Sequence, residues 1–260
     1  MRVSWAVVVA LAALVLLAVI VLVLRPDSHP THQPGNTTFQ SFRKAKRALP
    51  QVYQGHRETL YCGCRYGSDR QVDLSSCGYT PKRDNRRAHR VEWEHVVPAA
   101  AFGASLAVWR DGHPDCVDSR GRAFKGRQCA RKVSTEFRFM EADLYNLYPA
   151  IGEVNALRSD RRMGEIPGEA RELGRCDLEL AKRQVEPRPT VRGDIARTYL
   201  YMDGAYPGRS MVSAGDRRLL DGWAARDPVD EWECTRVRRV EALQGNTNQV
   251  VEAACVERGL

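Results

Sequence analysis

The chain begins with an apolar run, passes through a polar proline-bearing stretch, and only then takes up the mixed periodicities of a folded domain. Residues 5–24 are apolar without interruption and flanked by Arg2 and Arg25, and twenty such residues suffice to span a bilayer. A removable signal has a shorter apolar stretch followed by small residues, whereas here Leu24 is followed by Arg25, Pro26 and Asp27. Residues 1–25 therefore read as a retained membrane anchor in preference to a removed signal, and on either reading the rest is exported. Residues 26–38, PDSHPTHQPGNTT, hold three prolines and a glycine among polar side chains and read as a linker.

From residue 39 to 260 the pattern is that of one domain. Phe39, Phe42, Leu49, Val52 and Tyr53 recur at helical spacing, Asn36, Thr37 and Thr38 offer caps, and Arg43, Lys44, Lys46 and Arg47 fall on the wet side. Residues 58–80, with three cysteines and three glycines, read as a loop or short hairpin. RRAHRVEWEHVVPA alternates as a strand and turns at Pro98, and residues 110–132 form a long glycine-rich basic loop. Phe137, Met140, Leu144 and Leu147 share one helical face, which Pro149 ends, and AIGEVNALRSD starts a new helix. Further helices are predicted over residues 194–201, 217–225, 229–241 and 248–258, the last two joined by the turn QGNT. The fold class is α+β: a mostly helical single domain with few strands.

Composition adds two facts. All eight cysteines lie downstream of the apolar run, and an even number in an exported chain predicts four disulfides, with connectivity open. Zinc held by Cys62, Cys64, Cys77 and a histidine is the rival reading, which the absence of paired two-cysteine knuckles disfavours. The formal net charge is +8, and +7 without Arg2, Arg25 and Asp27. Such a surface suits a polyanion: nucleic acid, polysaccharide or lipid headgroups.

The stretch RVEWEHVVPA concentrates chemistry, with Glu92, Glu94 and His95 around Trp93. Breaking a phosphodiester needs an activated water and a counter-charge at the phosphorane. A neutral imidazole serves as base, and a cation held by a carboxylate and an amide supplies the charge. Glu94, His95 and a distant Asn satisfy that list, but neighbours in a regular strand point to opposite faces. Glu94 and His95 converge only where the strand ends or bulges.

RVEWEHVVPA, WRDGHPDC, EADLYNLYPAIGEVNALRSD, RGDIARTYLYMD and EWECTRVRRVEALQGNTNQVV together resemble the bacterial endonuclease I family of periplasmic and secreted non-specific nucleases. The resemblance runs from about residue 40 to 257. It implies a ββα-metal core, with His95 as general base and Glu94 and Asn155 as ligands of Mg²⁺ or another divalent cation such as Mn²⁺ or Ca²⁺. It also implies a second site asparagine, Asn146, that orders water or the phosphate, and a loop arginine on the phosphate: Arg127, with Arg110 and Arg122 as alternatives. The implied reaction cuts DNA, and RNA as well, to 5′-phosphate ends without sequence preference. The expected protein is a monomeric, disulfide-stapled endonuclease, periplasmic or extracellular, tethered to the inner membrane by residues 5–24. A non-catalytic DNA-capture protein and a hydrolase of another phosphodiester are the alternatives.

The remaining polar residues carry weaker readings. Trp93 is expected in the core, Glu92 either orients a ligand or faces solvent, and Glu153 reads as a solvated helix residue. His29, His32, His56, His89 and His113 read as surface residues. Arg161, Arg162, Arg236, Arg238 and Arg239 either track a phosphate backbone or line solvated helix faces.

Overall fold

The computed structural model describes residues 34–260 apart from Glu169, so the anchor expected over residues 5–24 lies outside the described residues. No helix among the described residues is long and apolar enough to cross a membrane.

The first helix, α1 (Phe42–Val52), is capped by Ser41, whose hydroxyl accepts from Lys44 N at 3.2 Å, and buries Ala45, Leu49 and Val52 along one face. Asn36, expected as a helix cap, is instead buried. Its amide donates to the carbonyls of Phe39 and Phe139, so the chain is docked against the domain well before the helix begins. Residues 58–80 form the expected irregular loop.

Strand β1 (Val91–His95) follows as predicted. Short helices α2 (Ala99–Gly103), α3 (Ala107–Arg110), α4 (Arg127–Val133) and α5 (Thr135–Glu141) come next. Helix α4 takes the end of what the glycine-rich pattern read as loop, and Ser134 caps α5 by accepting from Phe137 N. The helix expected to run on to Leu147 stops at Glu141. After a 3₁₀ turn at Leu144–Asn146, residues Leu147–Ile151 form β2, antiparallel to β1 with Glu94 opposite Tyr148 and His95 opposite Leu147. Pro149 therefore sits inside a strand. A two-stranded ribbon has only edges, so a missing N–H breaks no inner ladder. Helix α6 (Gly152–Arg158) leaves β2 directly, completing a strand–strand–helix unit.

A second sheet, unread in the sequence, orders β3 (Arg162–Met163), β5 (Gln184–Pro187) and β4 (Leu178–Leu180) side by side. The four C-terminal helices appear as expected: α7 (Arg192–Ala205), α8 (Ala214–Arg226), α9 (Glu231–Gln244) and α10 (Gln249–Arg258). Gly245 ends α9 at φ +87, a conformation that only glycine adopts without cost, and so makes the QGNT turn.

All eight cysteines pair: Cys62–Cys176, Cys64–Cys77, Cys116–Cys129 and Cys234–Cys255. That satisfies the disulfide expectation and removes the thiolates that zinc would need. Two apolar cores flank β1. Trp93 and Val97 belong to one, with Tyr53, Phe102 and Phe137, and Val91 and Val96 to the other, with Tyr61, Tyr148 and Val154. Strand β1 is thus packed into both cores, and of its five residues only Glu92 is not buried.

Candidate active site

A cleft of about 770 Å³ runs along β1 and is lined by Glu92, Glu94, His95, Arg127 and Asn155 together. Convergence of the adjacent Glu94 and His95 follows from the strand ending at His95. Arg158, fully buried, donates from Nη1 to His95 O (3.0 Å) and from Nη2 to Val96 O (2.6 Å), taking carbonyls that would otherwise continue a ladder.

His95 is 8% exposed, packed at 4.7 Å between ring centroids against Phe42. Its Nε2 lies 2.8 Å from the backbone carbonyl of Glu141. A carbonyl only accepts, so Nε2 carries the hydrogen and the lone pair resides on Nδ1. Burial, seconded by the Arg127 guanidinium, pulls the imidazole down to about 4, so it stays neutral at ordinary pH. A neutral imidazole with a fixed tautomer is a general base in waiting.

The Glu141 side chain works in the same place. Its carboxylate accepts from Arg127 Nε at 2.5 Å and from Arg131 Nε at 2.6 and 2.7 Å. Burial pushes this carboxyl up, but the Arg131 hydrogen bond and the Arg127 charge outweigh it and hold it below the usual range. Arg127, pinned through Nε, keeps its terminal nitrogens for the cleft. Of the three loop arginines, it alone lines the cleft: Arg110 donates to the carbonyls of Ala104 and Ser105, and Arg122 pairs with Asp118.

Glu94 is 3% exposed, and its Oε1 accepts from Tyr61 OH at 2.9 Å and faces Arg158 Nη1 at 3.3 Å. Burial pushes its carboxyl up to about 7, and Arg158 offsets this only in part. Such a carboxylate is short of positive charge, and its Oε2 has no protein partner among the described residues. Asn155 donates from Nδ2 to Glu92 Oε2 at 3.4 Å. Glu92 is a carboxylate and can only accept, so the Asn155 oxygen is the end left free. Glu92 is itself clamped by Arg87 and Arg90, so the acceptor that Asn155 donates to is held in place. One carboxylate oxygen and one amide oxygen are the hard donors that Mg²⁺, Mn²⁺ or Ca²⁺ accept, with water completing the shell. The residues present thus fit a divalent cation. No group of three or more His, Cys, Asp or Glu is arranged as a metal cage among the described residues.

Asn146 is placed elsewhere than its expected role requires. It is fully buried and off the cleft, with Oδ1 accepting from Val97 N (2.7 Å) and Nδ2 donating to Val97 O (2.9 Å). Both ends of the amide are spent on the turn after β1, so it shapes the site without reaching into it. Glu153, expected in solvent, is buried and ties down Tyr79 OH and Arg83 N. His56, expected at the surface, stacks on Trp232 at 3.9 Å. The arginines weighed for a phosphate track are committed internally. Arg236 is 1% exposed and donates to Tyr53 OH and to backbone carbonyls, Arg239 donates to Val52 O and Gln54 O, Arg238 to Leu260 O, Arg161 to Ala181 O, and Arg162 pairs with Asp216. Trp93 is in the core, as read.

This assembly of a strand–strand–helix unit, a tautomer-fixed histidine and a Glu/Asn oxygen pair agrees with comparison to known proteins, since the model of the endonuclease I family matches residues 42–255. The chain belongs to the endonuclease I family. It is similar to an extracellular deoxyribonuclease of Aeromonas hydrophila, 44% identical over 223 residues, or 83% of this chain and 91% of the relative. A periplasmic deoxyribonuclease of the same species is 42% identical over 222 residues, covering 83% and 87%. Endonuclease-1 of Buchnera aphidicola subsp. Acyrthosiphon pisum (strain APS) is 33% identical over 227 residues, covering 85% and 84%. As a member of the endonuclease I family, the protein is an enzyme, a phosphodiester-cleaving endonuclease.

Two site residues had no motif of their own. Glu141 opens the segment EADLYNLYPAIGEVNALRSD but acts through a backbone carbonyl and a pair of arginines, contacts that its place in that segment does not reveal. Arg158 lies three residues after Asn155, one helical turn on the same face, and that spacing was the available signal.

Proposed function

We propose that the protein is an exported, sequence-independent endonuclease that hydrolyses DNA, and RNA as well, to 5′-phosphate ends with the help of one divalent cation. The observation that carries this reading is the His95 Nε2 hydrogen bond to Glu141 O, which leaves Nδ1 as the base in a cleft shared with Arg127, Glu94 and Asn155. DNA as substrate is supported by the names of the relatives, extracellular and periplasmic deoxyribonucleases. Those names also support export. Residues 5–24 are proposed as the tether to the inner membrane, with the nuclease acting as a monomer outside it.

In the reaction His95 Nδ1 takes the proton of the attacking water, and its protonated form is stabilised by the Glu141 carbonyl. Arg127, oriented by Glu141, bonds a non-bridging phosphate oxygen. Glu94 and Asn155 would hold the cation, which when bound supplies positive charge to the phosphorane and to the departing 3′ oxygen. Glu92 keeps the Asn155 oxygen turned toward that position, and Tyr61 and Arg158 do the same for the free oxygen of Glu94. Because these groups address the phosphate and not base edges, binding is expected to be salt-sensitive and indifferent to sequence.

The test is the chemistry of the ends. Nicks made in supercoiled plasmid should be sealed by a DNA ligase without prior treatment, because 5′-phosphate and 3′-hydroxyl are both present. Nicks sealed only after a kinase step would contradict the stated bond cleavage.

A further inference from the structure

Among the described residues, four non-glycine residues have positive φ, and two of them, Arg70 (+69) and Ser159 (+52), line the catalytic cleft. Non-glycine residues held in this region mark places where the surroundings override local preference, and such places cluster at functional sites. Ser159 follows Arg158 directly and is accounted for by the end of α6. Arg70 needs a separate account.

Arg70 closes a tight turn. Its N–H donates to Gly67 O at 2.9 Å, Gly67 N–H donates to Gln71 O at 2.8 Å, and Val91 N–H donates to Arg70 O at 2.8 Å. The last bond fastens the turn to the first residue of β1. Glycine would take this conformation freely, yet an arginine occupies it, with a guanidinium that makes no hydrogen bond or ion pair among the described residues. Arg87 and Arg90 in the same cleft are bound to Glu92, and Arg127 to Glu141, while Arg86 also lines the cleft with an exposed side chain; of these arginines Arg70 is the one whose backbone is held at positive φ. The head group of Arg70 is exposed in the cleft, charged and uncommitted, which is the state in which arginine meets a phosphate. The turn is fastened to Val91 at one end of β1 and His95 stands at the other, so their backbones are about 13 Å apart at 3.3 Å per residue. That backbone separation favours a phosphate other than the one that reacts.

We propose that Arg70 is a substrate-binding residue that grips a phosphate displaced along the nucleic acid from the scissile one, and that the strained turn is retained to hold its side chain there. This rests on the nuclease reading above. Arg70 does not touch the reacting atoms, so its loss is expected in binding and KM and not in kcat.

The experiment compares the full-length chain with Arg70→Gly, Arg70→Ala and Arg70→Lys. Binding of a fluorescein-labelled DNA duplex is followed by anisotropy in EDTA over a range of salt, alongside Tm and steady-state cleavage. Arg70→Gly is expected to raise Kd and KM about tenfold at low salt, to flatten the log Kd against log salt slope by about 0.9, and to leave kcat unchanged. Its Tm should equal or exceed that of the parent, because the turn is relaxed. Arg70→Ala should lose the same binding, and Arg70→Lys should keep the parental slope. A parental slope and Kd in Arg70→Gly, with the parent cutting DNA normally, would overturn the assignment. So would a fall in Tm in Arg70→Gly, which would make the residue structural. A parent that neither binds nor cuts DNA would overturn the nuclease reading instead.

Discussion

The backbone carbonyl of Glu141 accepts the Nε2 hydrogen of His95 while the carboxylate of the same residue holds Arg127, so one residue fixes both the imidazole and the guanidinium beside it in the cleft. Substitution of the Glu141 side chain leaves the carbonyl in place and releases only the arginines. Glu141→Gln is therefore expected to keep the His95 tautomer and to lower kcat about tenfold through a mobile Arg127. A double variant, Arg127→Gln with Glu141→Gln, that loses no more than Arg127→Gln alone would support this, because Glu141 then acts only through Arg127. Independent, additive losses would count against it.

The pH dependence follows from the depressed His95. With the folded-state imidazole titrating near 4 and the free one near 6.5, protonation of His95 should cut activity only as pH approaches 4, and an acid limb near 7 would instead report Glu94, whose carboxyl is pushed up to about 7. The unfolded chain binds this proton first, so the stability contributed is complete above 6.5 and is lost as pH falls toward 4. Removing a positive charge near the ring raises its affinity for a proton, so Arg127→Gln should move the acid limb of kcat/KM to higher pH. An acid limb that stays put in that variant would show that another group titrates.

Cation binding is expected to depend on the free oxygens of Glu94 and Asn155. Glu94→Gln keeps an acceptor for Tyr61 OH but removes the charge, so the rise in Tm that Mg²⁺ is expected to produce in the parent, each protein being compared with itself in EDTA, should vanish. Persistence of the Mg²⁺ effect would place the cation elsewhere.

Asn146 separates a shaping role from a reacting one. Asn146→Ala leaves the buried N–H and C=O of Val97 without partners, a cost of about 2 to 4 kcal/mol, which should lower Tm by about 5 to 10 °C for a domain of this size. A variant of unchanged Tm that is inactive would return Asn146 to the substrate.

Much of this was legible because it is local. The alternation of VEWEH marks β1 with Trp93 inward, and the helices read over residues 194–201, 217–225, 229–241 and 248–258 correspond to α7 to α10. Strand β2 was missed because LYPAI is buried along its whole length and carries a proline, so neither alternation nor composition distinguishes it from the end of a helix. The small second sheet rests on strands of two to four residues, too short for any period to register. Glu94, His95, Asn155 and Arg127, which the family resemblance singled out, line one cleft. Roles defined by tertiary partners were not legible: the Val97 clamp of Asn146, the burial of Arg236, and the seat of Glu153 against Tyr79 become apparent only when distant segments are brought together.

The central claim is that His95 Nδ1 is the base of a metal-assisted hydrolysis, and it is tested most directly by supplying supercoiled plasmid to the full-length chain and to His95→Ala, each in Mg²⁺ and in EDTA. The account predicts degradation by the parent in Mg²⁺ alone, and a rate reduced about 10² to 10⁴-fold in a His95→Ala protein of unchanged Tm and DNA affinity. Parental cleavage by folded His95→Ala, or undiminished cleavage in EDTA, would contradict it.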